Sequence, residues 1–437
     1  MLSLFSLACG GDDAPEMYQP NKKDAESTDN RKDGGDYRPR EDASAEPDSN
    51  IDSNDGIVAT EDSFTVDVSG DDLFNDARGY CLAVYANDFV LAYQNHVPAT
   101  DCRTRIDFLS FSSFGPIPKT ETAVNKEFFC SVAKEPAVVY AGDAWTMAWS
   151  DTRSSETDSP EYEPNLYTLT LGSQEPFTEI AGDGLFEQNA VLIQVNSTAL
   201  LAWISERVSA GNERKRSIRT RLLGAANSGE NIVVPEEDNR MPEGLVAAPI
   251  GKTNAVIGWI DRSAANTGVF VLPLDGDGSA KEAPYQLTAF DATSMDIAAG
   301  DTANAAVYSV NIDGTRQVRL HLLSGIGGQA EIKDERKLVT PPEQGLDASI
   351  VYWGANGFLV VYRSFRGSDT DSAMIRLLVI DLGIDWNPDE LEPRDIAPAA
   401  LGGGRTTARL ANDGTLAVTW LDSVSTEEKS LNLRRLH

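Results

Sequence analysis

The side chains best suited to chemistry in this sequence are arginines and aspartates in polar segments between apolar runs. A guanidinium can form two parallel hydrogen bonds to a carboxylate or bind sugar hydroxyls. We therefore predict a ligand-binding ring made of Asp151, Arg153, Arg207, Asp261, Arg262 and Arg366. The alternative is structural, because an Asp or Arg that recurs in several repeats can instead bond the loop backbone of a neighbouring repeat. The structural alternative is favoured for Asp151, Asp261 and Asp422. For Arg207 and Arg366, the sequence favours neither ligand binding nor the structural role.

Other kinds of catalytic site lack the residue patterns that they require. His96, His321 and His437 are far apart and follow no metal-ligand spacing. The sequence has no Gly-x-Ser-x-Gly motif, and the Gly-Ile-Gly-Gly stretch at residues 325–328 is not followed by a helix that could bind phosphate. A glycosidase needs two facing carboxylates, but in so acidic a chain no particular pair stands out. We therefore predict no catalytic residue, no metal site and no cofactor.

Three of the four cysteines can supply one disulfide bond. Cys81, Cys102 and Cys130 fall within one stretch of 50 residues. In an exported protein two such thiols can be oxidised to a bridge while the third stays free. The sequence leaves open which two residues pair.

The polar segments belong to a unit that recurs along the chain. In each unit an apolar run ends in an aromatic residue, a polar loop follows, and a second alternating run comes next. The seven aromatic residues are Tyr93, Trp149, Trp203, Trp259, Tyr308, Tyr362 and Trp420. Their successive separations are 56, 54, 56, 49, 54 and 58 residues. A turn-forming pair, such as Asn356-Gly357, precedes each aromatic residue by about one strand length, which indicates a hairpin.

This repeat predicts an all-β fold, a seven-bladed β-propeller of four-stranded antiparallel blades, over residues 63–437. The seventh unit ends after its third strand, which would leave a sheet edge unpaired. Residues 63–69 alternate in polarity but belong to no unit of their own. We predict that they pair with residues 431–436 and complete the last blade.

One form of the repeat resembles a known family. Residues 148–153 read Ala-Trp-Ser-Asp-Thr-Arg, and Leu166-Tyr167 begin the next strand. This Ala-Trp-x-Asp-x-Arg pattern is similar to the blades of sialidase-like and other exported bacterial propellers. Residues 259–262 and 420–422 carry part of it. The resemblance implies a blade architecture and not an activity, because the arginine triad, Tyr-Glu pair and acid Asp of a sialidase are not assignable here.

The N-terminus resembles a bacterial lipoprotein signal, which implies that Cys9 is lipidated. The apolar residues 1–8 end in the small residue Ala8, directly before Cys9. Gly10, directly after it, is compatible with outer-membrane sorting. Because the apolar stub is short and lacks a basic start, we expect the signal peptide to begin upstream of Met1. Residues 10–62 predict a disordered linker, since few are apolar and the segment 1–62 carries 16 acidic against 6 basic side chains.

The formal net charge of −31 opposes binding to nucleic acid or to an anionic membrane surface. Contact with a membrane is therefore expected through the lipid anchor only, with the protein in the cell envelope on the periplasmic or surface face of the outer membrane. The sequence predicts a monomeric binding or assembly module for an extracellular protein or polysaccharide. The alternative is a sialidase-like glycoside hydrolase or a polysaccharide lyase.

Overall fold

A computed structural model of the chain describes residues 59–67 and 79–437, apart from short gaps. The gaps are 97–103, 119–121, 125–132, 153–163, 173–177, 182–185, 209–212, 225–228, 237–239, 301–302, 325–330, 340–341, 355–356, 367–368, 383–390, 401–403 and 424–428. The chain divides into two units, Met1–Asp52 and Ser53–His437, and every described strand belongs to the second. Cys9, most of the predicted linker and Arg153 lie outside the described residues.

The described residues form 28 strands in seven four-stranded antiparallel sheets, the blades. The innermost strands of blades 1 to 7 are β2 (Tyr80–Tyr85), β6 (Ala133–Ala141), β10 (Phe186–Val195), β14 (Pro242–Ile250), β18 (Ala292–Ala299), β22 (Glu343–Tyr352) and β26 (Thr406–Leu410). The second strands are β3 (Asp88–His96), β7 (Ala144–Asp151), β11 (Thr198–Val208), β15 (Asn254–Asp261), β19 (Asn304–Ile312), β23 (Gly357–Arg366) and β27 (Leu416–Ser423). The third strands are β4 (Thr104–Ser112), β8 (Asn165–Thr170), β12 (Arg214–Leu222), β16 (Gly268–Leu274), β20 (Thr315–Ser324), β24 (Asp369–Asp381) and β28 (Lys429–Leu436). The outermost strands are β5 (Thr122–Ala123), β9 (Thr178–Ala181), β13 (Asn231–Val234), β17 (Tyr285–Thr288), β21 (Glu331–Lys337), β25 (Arg394–Pro398) and β1 (Ala59–Asp67).

The blades close into a ring. Each innermost strand contacts the innermost strands of the two neighbouring blades, and β26 of blade 7 contacts β2 of blade 1. The all-β seven-bladed propeller of four-stranded antiparallel blades, predicted from the repeat, is confirmed. Within the described residues, no helix has the length and apolar character needed to cross a membrane.

The last blade takes its outermost strand from the other end of the chain. Ser63 pairs with Arg434 and Val66 pairs with Leu431 in an antiparallel register. The strand β1 begins at Ala59, four residues before the predicted start and inside the predicted linker. An outermost strand accepts polar residues because backbone hydrogen bonds to one neighbour suffice to hold it, so composition alone placed the boundary too late.

The seven aromatic residues of the repeat all lie on second strands and are at most 5% exposed. They pack into apolar clusters between neighbouring blades. Trp259 of blade 4, for example, contacts a cluster that contains Leu200 and Ile218 of blade 3. Because each ring buries a large apolar surface against the next blade, the constant spacing of these residues sets the spacing of the blades.

Candidate functional site

The innermost strands surround a cavity of about 380 Å³ on the propeller axis. All seven blades contribute lining residues, and four of the lining side chains carry charge, namely Glu135, Asp296, Arg405 and Arg409. A cavity of this size lies in the range of small-ligand sites. We call these four residues the axial cluster.

Bulges near the beginning of four innermost strands bring polar groups to one face of the ring. The residues in left-handed conformation at these bulges are Glu135, Asn189, Gly244 and Asp347, with φ between 53° and 68°. Neighbouring strands begin on the same face, since the Glu135 carboxylate accepts hydrogen bonds from Asn189 N at 2.5 Å and from Asn189 Nδ2 at 3.1 Å. A left-handed non-glycine residue is strained, and such bulges often re-aim side chains beside a functional site.

Strand register shows that two members of the axial cluster, Asp296 and Arg409, break the repeat. The residues paired with the position just before each aromatic residue form one layer around the axis: Cys81, Ala137, Val191, Val246, Asp296, Ser349 and Thr407. Two residues further along each strand, the equivalent layer is Ala83, Val139, Ile193, Ala248, Ala298, Val351 and Arg409. Charge therefore occupies positions that are small or aliphatic in most blades. The repeat does not require these charges, which favours a functional role.

Asp296 is buried, and its carboxylate is held by donors of its own blade and the next one. It accepts from Ser349 Oγ at 2.6 Å, from Ile350 N at 3.2 Å and from Ile297 N at 3.0 Å. These contacts orient the carboxylate towards the axis and compensate much of the cost of burying its charge.

Two guanidinium groups of blade 7 face this carboxylate. Arg405 Nη2 lies 3.6 Å from Asp296 Oδ1, and Arg409 Nη1 lies 3.9 Å from Asp296 Oδ2. Both separations exceed a good hydrogen bond, and Arg405 Nε has no hydrogen-bond acceptor among the described residues. Arg409 Nη1 also donates to the carbonyl of Ala408 at 2.7 Å. Arg405 Nε therefore keeps a donor for a second carboxylate, and two cations here face one anion.

Burial changes the proton affinity of two groups close to the axial cluster. It raises the pKa of Asp347 to about 6, although Arg363 and Arg316 oppose the rise. It also raises the pKa of Tyr80 to about 12. The Tyr80 hydroxyl donates to the carbonyl of Arg405 and lies 3.3 Å from that of Thr419. Tyr80 is thus a neutral donor at physiological pH and not an anionic nucleophile.

Two of the predicted site residues, Asp151 and Asp261, are fully buried beside the aromatic residues of their blades. Asp151 accepts from Trp149 Nε1 at 3.2 Å. Asp261 accepts from Met241 N at 3.1 Å and from Ser263 N at 2.9 Å, which ties the end of β15 to the segment entering blade 4. The ring contact of Asp151 lies within blade 2, and the backbone contacts of Asp261 lie within blade 4 and the segment that enters it. The choice between ligand binding and a bond to a neighbouring blade therefore stays a prediction for both residues.

The described arginines of the predicted ring belong to three different blades, 3, 4 and 6. Arg207 is 59% exposed, with its Nε 4.0 Å from Glu236. Arg262 pairs with Glu243 and Asp291 of blades 4 and 5, and Arg366 is exposed at the end of β23. None of these described residues lines the axial cavity. Arg153 lies outside the described residues, and the role of the ring in binding stays a prediction.

Among the described residues, Cys81 is a free thiol, and it lines the cavity. Its position on the innermost strand β2 places it beside the axis. Cys102 and Cys130 lie outside the described residues. The predicted disulfide among Cys81, Cys102 and Cys130 stays a prediction.

Sequence reasoning concentrated on loops and missed the axial cluster. The available signal was a charged residue inside an apolar innermost strand, as at Asp296 between Met295 and Ile297. A second signal was the even spacing between Arg405, directly before β26, and Arg409 within it, which in extended chain places both side chains on the same side. Their approach to Asp296 from two blades away depends on ring closure, which the sequence does not display.

No family model and no curated protein sequence matches this chain. Solved structures do. An ancestral GH74 enzyme superposes with a TM-score of 0.53 at 12% identity, covering 87% of this chain and 51% of that one. A polysaccharide lyase gives a TM-score of 0.49 at 9% identity, covering 84% and 91%. A sialidase mutant from Streptococcus pneumoniae gives 0.44 at 8% identity, covering 86% and 70%. This chain spans about half the length of the GH74 enzyme, and at these identities the likeness shows the propeller fold alone.

Proposed function

We propose that this protein is an exported binding module that holds a carboxylate-bearing sugar of an extracellular polysaccharide in its axial cavity. The observation that carries this proposal is the pair of guanidiniums, Arg405 and Arg409, facing the axis beside one buried carboxylate. Guanidinium groups recognise carboxylates through paired, charge-assisted hydrogen bonds. The cavity volume of about 380 Å³ suits a unit of sugar size rather than a folded partner.

The surrounding charge makes the axial arginines the favoured place for an anion. Residues 63–437 carry 52 acidic and 31 basic side chains, after subtraction of the 16 and 6 of residues 1–62 from the totals of 68 and 37. Such a domain repels polyanions in general. A ligand with single, well-spaced carboxylates is therefore favoured over a densely charged polymer.

The test is a binding screen of the full chain on oligosaccharides that contain uronic acid, with carboxyl-reduced versions of the same glycans beside them. We expect binding to the acidic forms only, and a weakening of about tenfold or more in Arg405→Ala and in Arg409→Ala. Arg207→Ala and Arg366→Ala are the matched controls, because they remove exposed arginines of the predicted loop ring. Binding that is lost in the controls and kept in Arg405→Ala would move the site to the loops. Binding to acidic peptides but to no glycan would replace the polysaccharide by a protein partner.

A glycoside hydrolase or lyase is the second candidate, because Glu135 and Asp296 both line the cavity and glycoside hydrolysis uses two carboxylates. Against it, Glu135 is engaged by Asn189 and Asp296 by three donors, so neither carboxylate is free to approach a substrate. Incubation of the full chain with glycans that it binds should release no new reducing ends. Release that disappears in Glu135→Gln and Asp296→Asn would establish the enzyme.

Anchoring of the protein is a separate part of the proposal. It rests on the resemblance of residues 1–9 to a lipoprotein signal and on the acidic, apolar-poor sequence that follows. We expect lipid on Cys9, detected by mass spectrometry of the native protein from its membrane fraction. In Cys9→Ser the protein should move to the soluble fraction, and a monomer is expected once detergent is removed. A Cys9→Ser variant that stays in the membrane fraction would contradict lipid anchoring.

A further inference from the structure

Arg363 on β23 is fully buried and holds blade 6 to blade 7. Its Nη2 donates to Leu421 O at 2.7 Å and to Gly404 O at 3.3 Å. Its Nη1 lies 3.3 Å from Asp422 Oδ1, and its Nε lies 3.4 Å from Asp347 Oδ2. The guanidinium therefore connects its own blade to the end of β27 and to the segment that enters β26.

The contacts of blade 6 fall on both sides of Arg405. Gly404, the preceding residue, is bound through its carbonyl by Arg363. Thr406, the following residue, donates its hydroxyl to the carbonyl of Asp347. The backbone of Arg405 is thus held before and after the residue, while its side chain reaches towards Asp296.

We propose that Arg363 is a positioning residue that sets the geometry of Arg405 in the axial site. This inference rests on the proposed function, and it adds a residue that does not line the cavity. Two-point recognition of a carboxylate requires a guanidinium placed to within about 0.5 Å. Lysine at position 363 keeps the charge but loses the fork that reaches two carbonyls at once.

A purely structural role is the alternative, and the chain contains a matched control for it. Arg435 on β28 is also fully buried and also donates to backbone carbonyls of a neighbouring blade. Its Nη1 lies 2.6, 3.0 and 2.7 Å from the carbonyls of Ser112, Ser113 and Gly115. It sits at the other end of blade 7, since Arg435 pairs with Ala417 near the start of β27 whereas Arg363 reaches Leu421 near its end.

The experiment compares Arg363→Lys with Arg435→Lys in the full chain, well below the melting temperature of either variant. Both changes should lower thermal stability. Only Arg363→Lys should weaken binding of a uronic-acid oligosaccharide, by about tenfold. In the double variant, Arg405→Ala should weaken binding little beyond the effect of Arg363→Lys. Equal affinities in the two lysine variants, or effects of Arg363→Lys and Arg405→Ala that simply add, would reduce Arg363 to a structural link between blades.

A second measurement separates failure of this inference from failure of the proposed function. The NMR signal of the Arg405 Nε–H group should shift or broaden in Arg363→Lys and stay unchanged in Arg435→Lys, with no ligand present. An unchanged signal in both variants would overturn the positioning role even if the glycan binds. Absence of glycan binding with a shifted signal would overturn the proposed ligand alone. If Arg363→Lys fails to fold, Thr406→Val removes the contact on the other side of Arg405 and should give the same losses.

Discussion

The hydroxyl of Ser349 donates to the carboxylate of Asp296 at 2.6 Å, and its oxygen accepts from Ala408 N at 3.1 Å. One small side chain thus joins blades 5, 6 and 7 at the polar side of the axis. Ser349 and Asp296 are both buried, so water cannot easily replace either contact.

Ser349→Ala should lower the free energy of unfolding by about 1–3 kcal/mol, because a buried carboxylate oxygen and a buried amide each lose a partner. The measurement is urea denaturation, read as a change in midpoint at constant slope. Ser150→Ala is the matched control, since the Ser150 hydroxyl is equally buried but donates to an uncharged acceptor, the carbonyl of Glu187, at 2.9 Å. Its loss should be smaller, about 1 kcal/mol. Equal losses would mean that the charge of Asp296 is not stabilised by this hydroxyl.

Asp347 should make the stability fall as pH rises through the weakly acidic range. Its pKa is 3.8 in an unstructured chain and about 6 in the fold. Between about pH 4 and pH 6 the folded state keeps a proton that the unfolded chain has lost. The stabilisation from this group is therefore complete below pH 4 and is lost as pH rises to about 6, with an upper value on the order of 2–3 kcal/mol.

The measurement is the free energy of unfolding from pH 4 to pH 7 in the wild type and in Asp347→Asn. The difference between the two curves should change through this window. Asp277→Asn serves as the control, because hydrogen bonds from Ser279 lower the pKa of Asp277 and place its titration outside the window. Parallel curves for the wild type and Asp347→Asn would show that Asp347 does not titrate there.

Removal of β1 should expose the outer edge of the last blade. A chain that begins after residue 67 lacks β1 and exposes the edge of β28, which then offers unpaired backbone groups to another molecule. We expect a melting temperature lower by several degrees and self-association in analytical ultracentrifugation. A chain that begins at residue 59 keeps β1 and should behave as the full chain does. A monomeric, equally stable protein without β1 would contradict closure by this strand.

The indole N–H groups of equivalent tryptophans should contribute differently to the free energy of unfolding. Trp149 Nε1 donates to the buried carboxylate of Asp151 at 3.2 Å, whereas Trp203 Nε1 has no acceptor among the described residues. Both rings are fully buried at the same position of neighbouring blades. Trp149→Phe should therefore cost about 1–2 kcal/mol more than Trp203→Phe in urea denaturation. A reversed order would show that packing, and not the hydrogen bond, sets the difference.

The fold could be read from the sequence because a propeller is built from local units. An aromatic residue such as Trp203 or Trp259 ends an apolar strand at nearly constant spacing, and each hairpin is specified by its own turn. The partner of residues 63–69 was predictable as well, since the seventh unit lacked one strand and only one unassigned strand remained. The start of that strand at Ala59 was not predictable, because polar composition does not distinguish an outermost strand from a linker.

The candidate site could not be predicted from the sequence, because it joins residues that no local pattern connects. Asp296 and Arg405 are 109 positions apart by their numbers and meet only when seven blades close around an axis. Sequence alone determined the repeat, the number of blades and the strongly acidic character of the chain. Only the tertiary structure decided which charged residues face the cavity, which arginines hold neighbouring blades together, and that Cys81 lies beside the axis. The physical reason is that hydrophobic periodicity and turn chemistry act over one blade, whereas ring closure brings together side chains from distant parts of the chain.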